Sequence, residues 1–150
     1  MKVGIAADHG GYKLREIISR YLVESGHELM DFGATVFDDG DDYPDFVIPL
    51  AKAISAHEIE RGIAICGSGV GASIAANKVH GVKAALVHDH FSAHQGVEDD
   101  NMNLICLGGR VIGPSLALEF VRAFLHAKFS GAERHKRRIE KVELLEKNKS

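Results

Sequence analysis

The chain has 150 residues, of which 45% are hydrophobic and 26% are charged, and its formal net charge is −3. These values predict one soluble domain over residues 1–150, large enough to bury a core without disulfides or metals. They give no reason to expect nucleic-acid binding, and no apolar run approaches the ~18 residues of a membrane span. We expect a cytoplasmic protein, because the chain opens without a signal-peptide pattern and its two cysteines lie in apolar runs.

Short apolar runs alternate with segments of helical periodicity along the whole chain. The runs predict strands at residues 3–7, 27–32, 62–65, 82–87 and 103–107. The periodic segments predict helices at residues 13–25, 44–57, 72–78, 91–97, 114–130 and 134–147. Pro44 is typical of a helix start, Pro49 indicates a kink or a later start, and Gly131 is predicted to end the fifth helix. The acidic segment 33–42 is expected to be a surface loop.

The predicted strands are apolar without alternation, which is typical of a parallel sheet with both faces covered. Five alternations of strand and helix therefore predict an α/β fold, a three-layer α/β/α sandwich of Rossmann-like type with a five-stranded parallel sheet and a C-terminal helical arm. Ligands bind such sheets beyond the carboxyl ends of the strands. Four polar or glycine-rich strand ends should share that edge: Asp8-His9, residues 66–71, residues 88–90 and residues 108–110.

The most distinctive segment begins where the third predicted strand ends, at Cys66. Gly67, Ser68, Gly69 and Gly71 follow directly, and a helix of small residues begins after them. This arrangement aims several backbone N–H groups at one point, which favours the binding of an anion. The same field favours a thiolate at Cys66. Two structural explanations stay open, because tight strand-to-helix turns need glycine and a cysteine in an apolar run is often a small buried hydrophobe.

A thiolate beside N–H donors supports two kinds of reaction. It can attack a carbonyl as a nucleophile, or it can take a proton from the carbon next to a carbonyl while the N–H groups hold the enediolate oxygen. A hydrolase nucleophile needs a neighbouring base, and no residue at short spacing supplies one. Proton transfer needs a second anion site, and Arg134 and Arg138 share a helical face that suits a phosphate. The alternative for these arginines is a solvated charged helix.

Six motifs follow one another along nearly the whole chain: Asp8-His9-Gly-Gly, Asp42-Tyr43-Pro44, Cys66-Gly-Ser-Gly-Val-Gly-Ala-Ser-Ile-Ala-Ala-Asn77-Lys78, Phe91-Ser-Ala, Gly108-Gly-Arg110-Val-Ile-Gly113 and Arg134-His-Lys-Arg-Arg138. In this order they resemble the type B ribose-5-phosphate isomerases and the related galactose-6-phosphate isomerase subunits. The resemblance implies a cofactor-free, metal-independent aldose–ketose isomerase that works through a cis-enediolate. It also implies a homodimer or homotetramer with sites shared between chains, which the predicted C-terminal arm fits.

The resemblance implies a role for each matching residue. Cys66 corresponds to the base that moves a proton between C1 and C2, and Ser68 to the hydroxyl that helps move a proton between O1 and O2. The implied substrate is ribose 5-phosphate, converted to ribulose 5-phosphate. The other matching residues are backbone donors that hold the oxyanion (Gly67, Gly69, Val70, Gly71), contacts to the sugar (Asp8, Tyr43) and a phosphate clamp (His9, Arg110, Arg134, Arg138).

One pair of residues departs from the resemblance. Many relatives have His-Asn where this chain has Asp99-Asp100, and that histidine is assigned to opening the sugar ring. Asp99 can accept the anomeric proton, but a carboxyl lacks a pKa near neutrality. Alternatively His90 or His94 replaces the histidine, or the substrate needs no ring opening. Asp100 is expected at the substrate. A tetrose or tetrulose 4-phosphate, allose 6-phosphate and galactose 6-phosphate therefore stay open as substrates.

Two other functions compete with the isomerase. A non-catalytic subunit would complete a phosphosugar site on a partner chain, as in the galactose-6-phosphate enzyme, which has two unlike subunits. It has less support because Cys66, Ser68 and both arginines occur in one chain. A nucleotide-binding flavodoxin-like module explains only the glycine-rich loop and leaves Asp8 and Arg110 without a role.

The remaining histidines have ordinary explanations. A metal site at His88, His90 and His94, with Asp89 or Glu98, rests on a spacing that is common without a metal, so no metal is expected. Cys106 is expected in the core. Four further histidines are expected at the surface or its boundary: His27, His57, His80 and His126.

Overall fold

The structure of the protein is a computed structural model that describes residues 1–149, and Ser150, the last residue of the predicted domain, lies outside the described residues. Over residues 1–149 the chain forms five strands: β1 (Lys2–Ala7), β2 (Glu28–Asp31), β3 (Arg61–Cys66), β4 (Ala84–Leu86) and β5 (Leu104–Gly108). The same residues form six α-helices: α1 (Tyr12–Glu24), α2 (Pro44–Ser55), α3 (Val70–Ala76), α4 (His90–Asp100), α5 (Pro114–His126) and α6 (Glu133–Lys147). A short 3-10 turn, His9–Gly11, joins β1 to α1. None of these helices is long and apolar enough to cross a membrane.

The five described strands form one parallel sheet, as predicted, and their order is β2-β1-β3-β5-β4. The chain moves outward from β1 to β2 and then crosses back to place β3 on the other side of β1. The direction of winding therefore changes between β1 and β3, where Ala7 lies opposite Ile65. In parallel sheets, ligands bind in the crevice at such a change of direction, beyond the carboxyl ends of the strands. Asp8 and Cys66 flank this crevice.

Helices cover both faces of the sheet, which confirms the three-layer α/β/α architecture. On one face Ile5 packs with the apolar sides of α1 and α5. On the other face the small side chain of Ala6 packs with residues of α2 and α3. Successive strand residues point to opposite faces, and both faces are buried here, so the strands are apolar throughout. Cys66 and Cys106 belong to the second face, and Cys106 is fully buried, as predicted.

The strand bounds agree with the predicted ones to within two residues at each end, and so do the bounds of the helices other than α4 and α5. α2 begins at Pro44 and continues through the exposed Pro49, so the later start is wrong. α3 begins at Val70, directly after the glycine-rich turn. α4 continues three residues beyond the predicted end at residue 97, and Asp99 and Asp100 therefore belong to its last turn.

The end of α5 corrects a second prediction, because the helix stops at His126 and not next to Gly131. Its terminal carbonyl groups have a partner from the sheet. The guanidinium of Arg61 donates to the carbonyl oxygen of Phe124, and also to that of Ala127 at 2.6 Å. Terminal carbonyls that a side chain satisfies need no further helical turn, so a residue 66 positions away in the chain ends the helix.

α6 forms the predicted C-terminal helical arm and is attached to the rest of the chain mainly through α4. His135 is the buried residue of this helix. Val142, Leu144 and Leu145 are more than half exposed, at 60%, 51% and 63%. An amphipathic helix with an exposed apolar side is typical of a segment that packs on something else.

Candidate functional site

The Cys66 side chain lies at the carboxyl end of β3 and lines a cleft of about 380 Å³. The residue is only 4% exposed. The backbone N–H of Gly69 donates to Cys66 Sγ at 3.2 Å, which holds the sulfur toward the glycine-rich turn. The sulfur is therefore within reach of the cleft and not confined to the sheet interior. The other residues that line the cleft are Asp8, Tyr43, Gly67, Ser68, Gly71, Arg110 and Val111.

Two glycines of the turn are required by its geometry. Gly69 has a φ of +82°, a conformation that other residues rarely adopt, and a Cβ there would lie 2.9 Å from the backbone of Leu107. A Cβ on Gly71 would lie 2.6 Å from the Tyr43 ring. The tight turn brings Tyr43 against the start of α3 and closes one side of the cleft.

Ser68 stands exposed at the mouth of the cleft. Its hydroxyl oxygen accepts the backbone N–H of Val70 at 3.3 Å. Gly69 and Val70, two of the predicted oxyanion donors, thus hold the Cys66 thiol and the Ser68 hydroxyl in place. A sulfur and a hydroxyl fixed by adjacent main-chain donors can act on neighbouring atoms of one bound molecule.

Asp8 lies on the opposite side of the crevice from Cys66 and is 6% exposed. Burial raises the pKa of its carboxyl, while hydrogen bonding to backbone N–H groups and the charge of His9 act in the other direction. Its Oδ1 accepts the backbone N–H of Gly10 at 2.9 Å and so caps the 3-10 turn. This carboxyl is held rigidly at the cleft, as a contact to a polar ligand requires.

His9, next to Asp8, pairs with a residue that no sequence pattern singled out. Its Nδ1 lies 2.7 Å from Asp41 Oδ1, and its backbone N–H donates to the same oxygen at 3.0 Å. This side-chain hydrogen bond raises the pKa of His9 above its ordinary value, and the charges of Asp8 and Asp41 add to the effect. Asp41 belongs to the acidic loop predicted at the surface, and only its pairing across 32 positions distinguishes it from its acidic neighbours.

Arg110 follows β5 and lines the cleft with its exposed side chain. Its backbone N–H donates to the carbonyl of Gly67 at 3.0 Å, so the arginine is tied to the glycine-rich turn. Among the ion pairs described for residues 1–149 none involves Arg110. Its charge is therefore available to an anionic ligand.

The predicted residues of α4 and α6 do not line this cleft. Asp100 and Arg138 line a separate groove of about 340 Å³ between these helices and β4, and Arg134 is exposed. Asp99 accepts a hydrogen bond from Gln95 at 2.7 Å and lies 3.3 Å from the buried His135. One chain thus brings together Asp8, Tyr43, Cys66, Gly67, Ser68, Gly71 and Arg110, and it places Asp99, Asp100, Arg134 and Arg138 elsewhere.

Among the described residues, His88, His90 and His94 do not come together in a group close enough to share a cation. His88 accepts the backbone N–H of Gly108 at 3.1 Å, whereas His90 and His94 pair with Glu119 and Glu98. Neither His90 nor His94 is paired with Asp99, and the histidine that contacts it, His135, had been given no role. In the described part of the chain, the one group of side chains close enough to share a cation is Asp8, His9 and Asp41.

Comparisons with known proteins show similarity in sequence and in overall structure. A family model described as Ribose/Galactose Isomerase matches residues 3–142. Ribose-5-phosphate isomerase B of Clostridium thermocellum has a similar structure, with a TM-score of 0.96, 44% identity and 100% of each chain covered. That of Mycoplasma genitalium, solved with bound ribulose-5-phosphate, has a TM-score of 0.92 and 43% identity over 97% of this chain and 96% of that one. The D-erythrulose-4-phosphate isomerase of Pectobacterium atrosepticum is 40% identical over 131 residues, 87% of this chain and 86% of the relative.

Proposed function

The chain belongs to the ribose/galactose isomerase family, and from this membership and the geometry of the cleft we propose that it interconverts ribose 5-phosphate and ribulose 5-phosphate. The observation that carries the proposal is the position of Cys66 Sγ. It lies in the crevice between β1 and β3 and is held by a main-chain N–H. It shares its cleft with a buried carboxyl and with an arginine that forms no ion pair within residues 1–149. Such a site suits a small polar molecule with an anionic end.

In the proposed mechanism, the Cys66 thiolate takes the proton from C2 of the open-chain aldose, and the electrons of the C–H bond form the C1–C2 double bond of a cis-enediolate. Sulfur, which can exchange its proton with solvent, then delivers a proton to C1, and this gives the ketose. Ser68, at the mouth of the cleft, moves a proton between O1 and O2. Main-chain donors of residues 67–71 other than Gly69 and Val70, whose N–H groups hold the thiol and the Ser68 hydroxyl, stabilise the enediolate oxygen. Asp8 and Tyr43 hold the sugar hydroxyls. This route assigns no step to a metal or a cofactor.

The second half of the proposed site comes from another copy of the chain. Arg134 and Arg138 are exposed on α6 and do not line the Cys66 cleft. The same helix exposes Val142, Leu144 and Leu145. Exposed apolar side chains on a helix suit an arm that packs on a partner chain. The two exposed arginines of the same helix would then add positive charge to the partner's cleft. We infer a homodimer, or a pair of dimers, in which Arg134 and Arg138 complete the phosphate clamp with His9 and Arg110.

Asp99 and Asp100 enter the proposal through the same helix pair. Asp99 has a fixed orientation because Gln95 donates to it, and His135 lies beside it. We propose that Asp99 accepts the anomeric proton when the sugar ring opens, with Asp100 at the substrate.

The second candidate function is isomerisation of a four-carbon sugar phosphate, which cannot close such a ring. This candidate is supported by the 40% identity to a relative that is a D-erythrulose-4-phosphate isomerase. Allose 6-phosphate and galactose 6-phosphate remain as larger alternatives, and a non-catalytic subunit role is disfavoured because one chain carries both Cys66 and Ser68.

A free thiol that acts as a base needs a reducing compartment. Cys66 and Cys106 are both free in the structure, and we propose the cytoplasm as the site of action.

Turnover by the purified protein tests the proposal. We expect the chain alone to interconvert ribose 5-phosphate and ribulose 5-phosphate, with exchange of the C2 proton for solvent deuterium. A panel of four-, five- and six-carbon sugar phosphates, compared by kcat/KM, ranks the substrates. Turnover confined to four-carbon compounds would replace ribose 5-phosphate as the proposed substrate. Absence of turnover with every member of the panel would contradict an isomerase.

A further inference from the structure

The contact between His9 and Asp41 joins two distant parts of the chain beside the cleft. Asp41 lies in the loop between β2 and α2, and its side chain is 10% exposed. One carboxylate oxygen, Oδ1, accepts both the Nδ1–H and the backbone N–H of His9, at 2.7 and 3.0 Å. The other oxygen, Oδ2, is buried and has no hydrogen-bond partner among residues 1–149. The carboxylate thus depends on His9 for the stabilisation that water would otherwise provide.

A buried carboxylate with an unsatisfied oxygen is costly unless a positive charge compensates it. The imidazolium form of His9 supplies that charge. The 2.7 Å separation is typical of a charge-assisted hydrogen bond. Because Nδ1 is bonded to Asp41, the ring presents its other nitrogen, Nε2, which forms no hydrogen bond in the described residues.

The charges around His9 come from three elements, and they are not all of one sign. The hydrogen bond to Asp41 raises the pKa of His9 most, and the charges of Asp8 and Asp41 also raise it. Burial and the positive charge of Arg110 act in the opposite direction. A Cβ on Gly109 would lie 3.1 Å from Gly11 Cα. The turn that carries Arg110 therefore packs against the turn that carries His9. Two adjacent cations without Asp41 would repel each other, and a phosphate dianion would be held by one charge fewer.

We propose that Asp41 is a positioning residue that fixes His9 as an imidazolium and directs its Nε2–H toward the phosphate end of the substrate. This inference rests on the proposed function, because it assumes a phosphate ester at the Arg110 side of the cleft. Asp41 itself touches no reacting atom. Its role is to supply charge and orientation to His9, and through His9 to strengthen ground-state binding of the phosphate.

Nuclear magnetic resonance of the imidazole ring tests the first half of the proposal without any turnover. In the wild-type protein, we expect the nitrogen shifts of His9 to report an imidazolium at neutral pH, with a titration midpoint above the ordinary value of about 6.5. Asp41→Asn keeps the shape of the side chain but removes its charge, and the midpoint should fall. Asp39→Asn removes an equal charge from an exposed position in the same loop and should leave the midpoint unchanged. A neutral His9 in the wild-type protein at pH 7 would overturn the proposal.

Kinetics and phosphate affinity test the second half. We expect Asp41→Asn to raise KM for ribose 5-phosphate and the Kd for inorganic phosphate by roughly tenfold, the effect of weakening one charged hydrogen bond. Because the interaction is made equally in the ground and transition states, kcat should change by less than about twofold. The rise in KM of the variant with increasing pH should begin at a lower pH than in the wild type.

A double-mutant cycle separates this role from a purely structural one. His9→Gln keeps an N–H donor near the position of Nε2 but has no charge for Asp41 to fix. Adding Asp41→Asn to His9→Gln should then change phosphate affinity by less than about twofold. If the two effects multiply, Asp41 does not act through His9 and the proposal is wrong. If the wild-type protein turns over no sugar phosphate, the proposed function fails, while the titration and the inorganic phosphate affinities still decide the role of Asp41.

Discussion

Two regions of the molecule carry the predicted site residues, and they differ in how complete they are within one chain. At the rim between β1 and β3, one chain supplies all sides of the cleft: Cys66, Asp8 and Arg110 line it. Main-chain hydrogen bonds fix the Cys66 thiol and the Ser68 hydroxyl there. On the α4–α6 face, by contrast, the predicted site residues do not line one common cleft. Arg134 is exposed there, Asp100 and Arg138 line another groove, and apolar residues of α6 have no covering.

From this difference we infer that the groups proposed for proton transfer come from one chain, whereas part of the proposed phosphate clamp comes from another. Parallel strands that end at one edge of a sheet bring the proton-transfer groups together as soon as the chain folds. Arg134 and Arg138 of the C-terminal arm do not line the Cys66 cleft of their own chain. We therefore assign the chemical step to a single chain and the completed phosphate clamp to an assembly of two.

The largest effect is expected at the rim between β1 and β3. Cys66→Ser removes the base and should lower kcat for ribose 5-phosphate by about 10²–10⁴-fold, with KM nearly unchanged. Deuterium exchange at C2 measures the loss directly. Cys106→Ala is the matched control, because it removes a thiol from the same face of the sheet away from the cleft. Undiminished exchange in Cys66→Ser would show that Cys66 is not the base. The proposal that the β1–β3 rim carries out proton transfer would then be wrong.

A smaller effect is expected at the arm. Arg134→Ala and Arg138→Ala should each raise KM about 10- to 100-fold, as expected for the loss of one charged hydrogen bond to phosphate. Arg137→Ala, an exposed arginine of the same helix, provides the control and should leave KM within about twofold. An equal response at all three positions would indicate a solvated charged helix, and the α4–α6 face would then have no part in the site.

Asp99 tests whether α4 contributes to ring opening. Asp99→Asn keeps an oxygen that can accept from Gln95 but removes the base. Sugar rings also open without catalysis, so the loss in kcat/KM for ribose 5-phosphate should lie below the usual range for a general base, at roughly tenfold. An acyclic four-carbon substrate should be converted at an unchanged rate. The same loss with both substrates would assign Asp99 to binding or structure.

The smallest effect concerns stability and comes from the pair formed by His9 and Asp41. The pKa of His9 is raised in the folded protein by its hydrogen bond to Asp41. The stabilisation is thus fully present below the pKa of the unfolded chain and is lost as the pH rises through the pKa of the folded state. Wild type should therefore exceed Asp41→Asn in free energy of unfolding by more at about pH 5.5 than at about pH 9. Urea denaturation at the two pH values measures this, and a difference that grows with pH would contradict the pairing.

Much of the rim could be predicted from the sequence, because its features are local. The apolar run before Cys66 and the glycines after it define a strand, a turn and a helix within seventeen residues of the chain, and parallel topology then places Asp8 beside them. Asp41 could not be predicted, since one acidic residue among several in a loop becomes distinctive only through a partner 32 positions away. The end of α5 was wrong for the same reason, because Arg61 reaches it from another strand.

The sequence predicts that the C-terminal arm is a helix, but it does not predict where that helix packs. Periodicity placed Arg134 and Arg138 on one face of α6, yet periodicity describes a helix and not the surface on which it lies. His135 shows the same limit: it is buried against Asp99 between two exposed neighbours, and nothing in the charged segment around it indicates burial.

Mixing two inactive variants tests the division between the two regions most directly. Cys66→Ser lacks the base, and the double variant Arg134→Ala, Arg138→Ala lacks the arm charges. If each site combines the rim of one chain with the arm of another, a mixed dimer contains one intact site. Equal amounts, unfolded and refolded together, should then recover about a quarter of wild-type activity, because half of the dimers are mixed and each has one working site. Activity no greater than the mean of the two separate variants would show that rim and arm serve the same chain, and the account of a shared site would be wrong.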